Sequence, residues 1–125
     1  MLGKSRAFSS FSVDDIGRAK KFYGETLGLE VADGEMGTLE LRVAGGTPIF
    51  VYPKPDHAPA TFTVLNFPVE NVEEAVSALT RRGVKFEIYD LPDIKTDAKG
   101  IARGHGPTMA WFKDPAGNVI GILEQ

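Results

Sequence analysis

Few side chains in this sequence can carry chemistry. His57 sits in P-K-P-D-H-A-P and His105 in R-G-H-G-P. Imidazole titrates near neutral pH and is the natural general acid or base, although a histidine in a loop-like context is ordinarily just solvated. Arg103, two residues before His105, carries the planar fork of donors that holds a carboxylate or phosphate. Glu40 and Arg42 share the polar face of one strand, so they line a site or pair with neighbours at its rim. Tyr52, with Met109 and Trp111, can wall a flat ligand, and core packing explains Trp111 equally well. Asn66 stands between apolar neighbours in V-L-N-F-P. A carboxamide there needs partners, which a ligand, Ser10 or Ser12 can supply. His105, Glu40 and Tyr52 are therefore the candidates for catalysis.

Other chemistries are excluded or unsupported. The chain has no cysteine, which removes disulfides, thiol nucleophiles and cysteine metal sites and favours an intracellular setting. No G-x-S-x-G elbow and no dinucleotide-type glycine loop is present. The formal charge of −3, with both signs mixed along 125 residues, argues against nucleic acid or an anionic membrane as partner. No stretch approaches the ~20 apolar residues of a membrane span, and the N-terminus lacks the apolar core of a signal peptide. The expectation is a soluble, cytoplasmic protein of one domain, long enough to bury its own core.

The elements that must position these residues come as a duplication. F-S-V-D-D-I-G-R-A (residues 11–19) returns as F-P-V-E-N-V-E-E-A (residues 67–75), an offset of 56. Internal repeats fix architecture before anything else does. In the first copy a strand over 7–13 leads to Asp14-Asp15 as helix N-cap. Ile16, Ala19, Phe22 and Leu27 mark the helix face, and Gly28 ends it. Strands follow over 29–33, 37–43 and 48–53, with Gly45-Gly46 as a turn. In the second copy a strand over 61–69 leads to Asn71 and Glu74 in a capping-box pattern. Gly83 ends that helix, a strand covers 84–89, and 90–107 is irregular. A final hairpin, 108–113 and 118–123, folds around D-P-A-G-N, where Asp, Pro and Gly are good turn chemistry anywhere. The fold class is α+β: two paired β-α-β-β-β modules, about 7–53 and 61–124, joined by a linker over 54–60.

Each such unit has a helix on one sheet face and leaves the other bare. Two copies can bring their bare faces together as a curved mixed sheet around a cleft. Strand parity puts Phe11, Val13, Leu65, Phe67 and Val69 beneath the helices. It turns Phe8, Ser10, Ser12, Val64 and Asn66 toward the cleft, a mixed lining that suits a small molecule. The irregular 90–107 segment, with Arg103 and His105, can fold over the mouth as a lid.

V-D-D-I-x-R-A-x-x-F-Y-x-x-x-L-G-L (Val13 to Leu29) and W-F-K-D-P-A-G-N-V-I (Trp111 to Ile120) resemble the vicinal-oxygen-chelate superfamily. This group includes glyoxalase I, bleomycin-resistance proteins, fosfomycin-resistance enzymes and extradiol dioxygenases. The resemblance spans nearly the whole chain and implies the glyoxalase/bleomycin-resistance-like fold. Its enzymes usually hold a divalent metal with His, Gln and Glu side chains, one from each of four cleft strands, leaving positions open for a chelating substrate. Carried over by motif, those positions fall on Phe8, Val64, Gly121 and a residue near Phe50 or Tyr52. None is a good ligand for a hard or borderline cation. Glu124 is a carboxylate, but it lies three residues beyond the expected place, with opposite parity; only a bulge would bring it into line.

The resemblance therefore implies no metal and no other cofactor for this chain. The leading expectation is a metal-free small-molecule binder, its ligand touched by Phe8, Ser10, Phe50, Tyr52, Val64, Asn66, Arg103, Trp111 and Gly121. By analogy with bleomycin-resistance proteins it is a homodimer. One alternative is a lyase- or isomerase-type enzyme of the glyoxalase class, with shifted ligands or none. A second is a regulatory or scaffold module whose cleft is vestigial.

Overall fold

Asp15 and Asn71, 56 residues apart, do the same job. The Asp15 carboxylate accepts a hydrogen bond from the Arg18 N–H at 3.1 Å, and the Asn71 carboxamide oxygen accepts one from the Glu74 N–H at 3.0 Å. Each residue is extended and caps the helix that begins at the next position, satisfying a donor that the first turn leaves free. The duplication is thus visible down to a single hydrogen bond.

The computed structural model describes residues 1–104 and 106–125. They form two compact units, Met1–Pro59 and Ala60–Gln125. The first holds β1 (Ser10–Val13), α1 (Ile16–Lys21), β2 (Glu30–Asp33), β3 (Leu39–Arg42) and β4 (Ile49–Pro53). The second holds β5 (Thr63–Val69), α2 (Val72–Arg81), β6 (Ile101–Ala102), β7 (Met109–Lys113) and β8 (Val119–Glu124). Each unit has a four-stranded mixed sheet of the same topology, in order β1-β4-β3-β2 and β5-β8-β7-β6. The first strand runs parallel to the last and the other pairs are antiparallel. The class is α+β, as the repeat implied. No helix among the described residues is long and apolar enough to cross a membrane.

The two helices end differently. Gly83 is left-handed (φ +91°), and the N–H groups of Val84 and Gly83 bond back to the carbonyls of Leu79 and Thr80 at 3.0 Å. That is a Schellman stop, which a residue without a Cβ makes cheaply. After α1 the helix widens instead. Leu27 N–H bonds to the Phe22 carbonyl five residues back, giving a π turn over Phe22–Thr26 before left-handed Gly28.

Parity then sets the cores. In the first unit Phe11, Val51 and Leu39 lie side by side across three strands, with Leu41 beside Ile49. All are buried together with Ala19 and Tyr23. In the second, Ile101, Ala110 and Ile122 are adjacent, as are Phe112 and Ile120; these are buried with Val72 and Val76 of α2. Leu65, Phe67 and Val69 share that register but are only half-buried.

Two expectations need correction. The first strand starts at Ser10, not at residue 7, so Phe8 lies outside it and is 63% exposed. The stretch 84–89 is not a full strand. Its backbone pairs with β7 only around the bridge from Phe86 to Phe112, where the Glu87 N–H donates to the Trp111 carbonyl at 2.8 Å. The fourth strand of that sheet is β6, from the segment expected to be irregular. Asp97 makes this possible: its carboxylate accepts from the N–H groups of Lys99 (2.8 Å) and Ile101 (3.0 Å), folding a tight turn ahead of β6. Gly100, at φ +91°, lets that turn lie against residues 86–87; a β-carbon there would stand 2.8 Å from Phe86 Cβ. β7 therefore shares one edge between two short segments.

Candidate functional site

In the first unit, the sheet face turned away from α1 carries several of the residues singled out by sequence. Ser10 is paired with Phe50, which is paired with Glu40, and Ser12 is paired with Tyr52. Phe8 packs edge-on against Phe50, ring centres 6.1 Å apart. Phe8, Ser10, Phe50 and Tyr52 thus form an aromatic surface edged with hydroxyls. Glu40 adjoins it, but its carboxylate is 3.9 Å from Arg42, which also meets Glu30 at 3.3 Å. The rim reading of Glu40 and Arg42 is the one their geometry supports.

The loop-like context of His57 predicts a solvated side chain, yet its Nδ1 lies 2.6 Å from Ser12 Oγ, and both residues are half-buried. The sequence signal was the proline-dense context, in which Pro53, Pro55 and Pro59 restrict the backbone. His105 lies outside the described residues.

In the second unit the corresponding face is built around Gly121, which is flanked in register by Asn66 on one side and Trp111 on the other. A β-carbon on Gly121 would meet Asn66 Oδ1 at 2.7 Å, Thr63 Cγ2 at 3.3 Å and Trp111 Cδ1 at 3.5 Å. Both side chains therefore cover the glycine, which is itself buried. Val64 sits at the irregularity where β5 slips register against β8 between Thr63 and Leu65, so simple alternation does not fix its direction. Asn66 is exposed, so desolvation does not force a partner on its amide.

Beside Trp111 is a cavity of about 240 Å³. Ile94, Ala102, Pro107, Met109 and Trp111 give it apolar walls, and Asp93, Lys95 and Arg103 add charge. Tyr89 packs edge-on against Trp111 with ring centres 5.6 Å apart. Its phenol is pushed above the usual tyrosine range by burial first and by the Glu87 charge next, with Lys113 opposing. Arg103 borders the cavity, but its guanidinium is committed elsewhere, to Asp97 at 2.7 Å and Glu73 at 3.5 Å. An incoming anion would compete with two carboxylates, so Arg103 is a brace for the Asp97 turn more than an anion receptor.

The D-P-A-G-N turn is structural. Buried Asp114 accepts from the N–H groups of Ala116 (2.9 Å) and Asn118 (2.8 Å) and from Asn118 Nδ2 (3.0 Å). Glu124 is structural too. Its carboxylate accepts from the Val72 N–H at 3.0 Å, at the start of α2, so it points to the helix side of the sheet and not to the face that Gly121 shares.

A profile of the glyoxalase/bleomycin resistance protein/dioxygenase superfamily matches residues 8–122. The chain belongs to this superfamily. Among solved structures it is similar to TnmS3, an antibiotic-binding protein from Streptomyces sp. CB03234, at 28% identity over 97% of each chain with a TM-score of 0.65. A glyoxalase/bleomycin resistance protein from the same organism is 27% identical over 94% of this chain and 99% of that one, with a TM-score of 0.60. The fosfomycin resistance protein FosX of Listeria monocytogenes is similar in fold, with a TM-score of 0.71 over 98% and 93% of the two chains but only 13% identity. No curated protein sequence matches the chain.

The superfamily's usual metal positions lack donors in this chain. Phe8 and Val64 offer no donor atom, the Gly121 position is covered by Trp111 and Asn66, and Glu124 is engaged by α2. Among the described residues no three His, Asp or Glu side chains come together where they could hold a metal ion. These residues do not fit the superfamily's metal centre.

Proposed function

We propose that this protein binds a flat, largely apolar small molecule without help from a divalent metal, and that Trp111 is its main contact. The carrying observation is the arrangement around Gly121. Where the superfamily's pattern calls for a ligand carboxylate, a residue without a side chain sits under an indole and a carboxamide, beside a cavity whose walls are mostly apolar. Indole gives a flat ligand a large contact area at small entropic cost, and the Asn66 amide offers a donor and an acceptor to fix its orientation. The volume is below the roughly 300–1,000 Å³ of drug-sized pockets, so the cavity takes one or two rings and the remainder of the ligand lies over the sheet face. The antibiotic-binding activity named for TnmS3 is in keeping with this reading.

A thermal-shift screen of flat aromatic compounds tests it. Hits should raise the melting temperature of the wild type and do so far less for Trp111→Ala, with Trp111→Phe in between. A screen in which hits stabilise Trp111→Ala as much as the wild type would place the ligand elsewhere.

A further inference from the structure

Ser12 and His57 are 45 positions apart in sequence and meet with Oγ 2.6 Å from Nδ1. A hydroxyl held at that distance from an imidazole nitrogen is the arrangement from which serine becomes a nucleophile. The geometry is imposed from both sides. Ser12 is fixed in β1 opposite Tyr52. The loop carrying His57 is tied down where it leaves β4: Lys54 N–H donates to the Val13 carbonyl at 2.9 Å, and His57 N–H donates to the Lys54 carbonyl at 3.0 Å. Asp56, the adjacent carboxylate, is paired with Lys54 at 3.2 Å. Ser12 and His57 are thus held in hydrogen-bond contact by the strand on one side and the tethered loop on the other. Tyr52, Phe50 and Phe8 continue along the same face as an apolar surface for an aromatic group.

We propose that Ser12 and His57 form a nucleophile–base pair that accepts the acyl group of aryl carboxylic esters. Ser12 Oγ bonds to the ester carbonyl carbon while its proton passes to His57 Nδ1. The bond from that carbon to the aryl oxygen breaks, and the departing phenoxide takes the proton from the imidazolium. Water then attacks the Ser12 ester with His57 again as base, releasing the carboxylic acid and restoring the serine.

Para-nitrophenyl acetate is the probe. The wild type should release a burst of nitrophenolate equal to one acetyl group per chain, and peptide mass spectrometry should find that acetyl on Ser12. Ser12→Ala should abolish the burst. His57→Asn should slow it by about 100-fold or more, the usual share of a general base, with unchanged circular dichroism. Mapping the wild-type adduct needs no variant, so a poorly folded Ser12→Ala does not weaken the test. Acetyl groups found only on lysines or the N-terminus, or an undiminished burst in His57→Asn, would overturn the proposal.

Discussion

The Asn66 carboxamide oxygen lies 2.7 Å from the point where a β-carbon on Gly121 would stand. Asn66 can lean over β8 only because position 121 has no side chain. Gly121→Ala should therefore cost about 1–3 kcal/mol, the range for overpacking, and Asn66→Ala in the same chain should recover much of it. Denaturant unfolding of the two single variants and the double variant gives the coupling directly. Gly121→Glu should also shift the emission of Trp111, the chain's one tryptophan.

Glu124 supplies the second prediction. Its carboxylate accepts the first N–H of α2, and Asn71 accepts another two positions on. Glu124→Ala and Asn71→Ala should each lower stability by ~0.5–2 kcal/mol, as lost N-caps do. Equilibrium unfolding in urea measures both. A Glu124→Ala variant as stable as the wild type would show that the bond is not formed in solution.

Gly100 governs the turn that builds β6. Its left-handed backbone and the 2.8 Å approach to Phe86 Cβ leave no room for a side chain. Gly100→Ala should cost roughly 1–3 kcal/mol. Hydrogen exchange at Ile101, whose N–H is held by Asp97, should speed up more than exchange at Ile120 in β8.

Asp97 links this turn to acid stability. Its carboxyl is held below the usual aspartate value of 3.8, first by the Ile101 N–H, against opposing desolvation, and then by Arg103 and the Lys99 N–H. A pKa depressed in the folded state stabilises fully above the unfolded value, and that stability is lost as pH falls through the folded one. Asp97→Asn should therefore flatten the decline in stability below about pH 4, while destabilising the protein at neutral pH. An unchanged acid limb in urea titrations would contradict this.

The sequence carried the architecture because the repeat is written in residues with local roles. Asp15 and Asn71 cap and Gly83 stops, while Phe11 and Val13 face inward by parity, all within a few positions of the pattern that predicts them. What it did not carry depends on contacts between distant segments. Nothing near His57 points to Ser12, 45 positions away. Arg103 reads as a free cation until Asp97 and Glu73 are placed beside it. The strand expected over 84–89 fails for the same reason: which segment pairs with β7 is decided by the Asp97 turn and Gly100, and hydrophobic alternation records neither. Trp111 was legible only as a choice between core and site. It is half-buried, with Tyr89 on one side and the cavity beside it.

Metal-free binding at Trp111 is tested most directly by titrating its fluorescence. Protein stripped with EDTA would be titrated with the best thermal-shift hit, with no metal added and again with Zn²⁺, Ni²⁺ or Mn²⁺. The prediction is saturable quenching with the same Kd in every case. Quenching that appears only after a metal is added would contradict it and return the site to the metal chemistry usual in the superfamily.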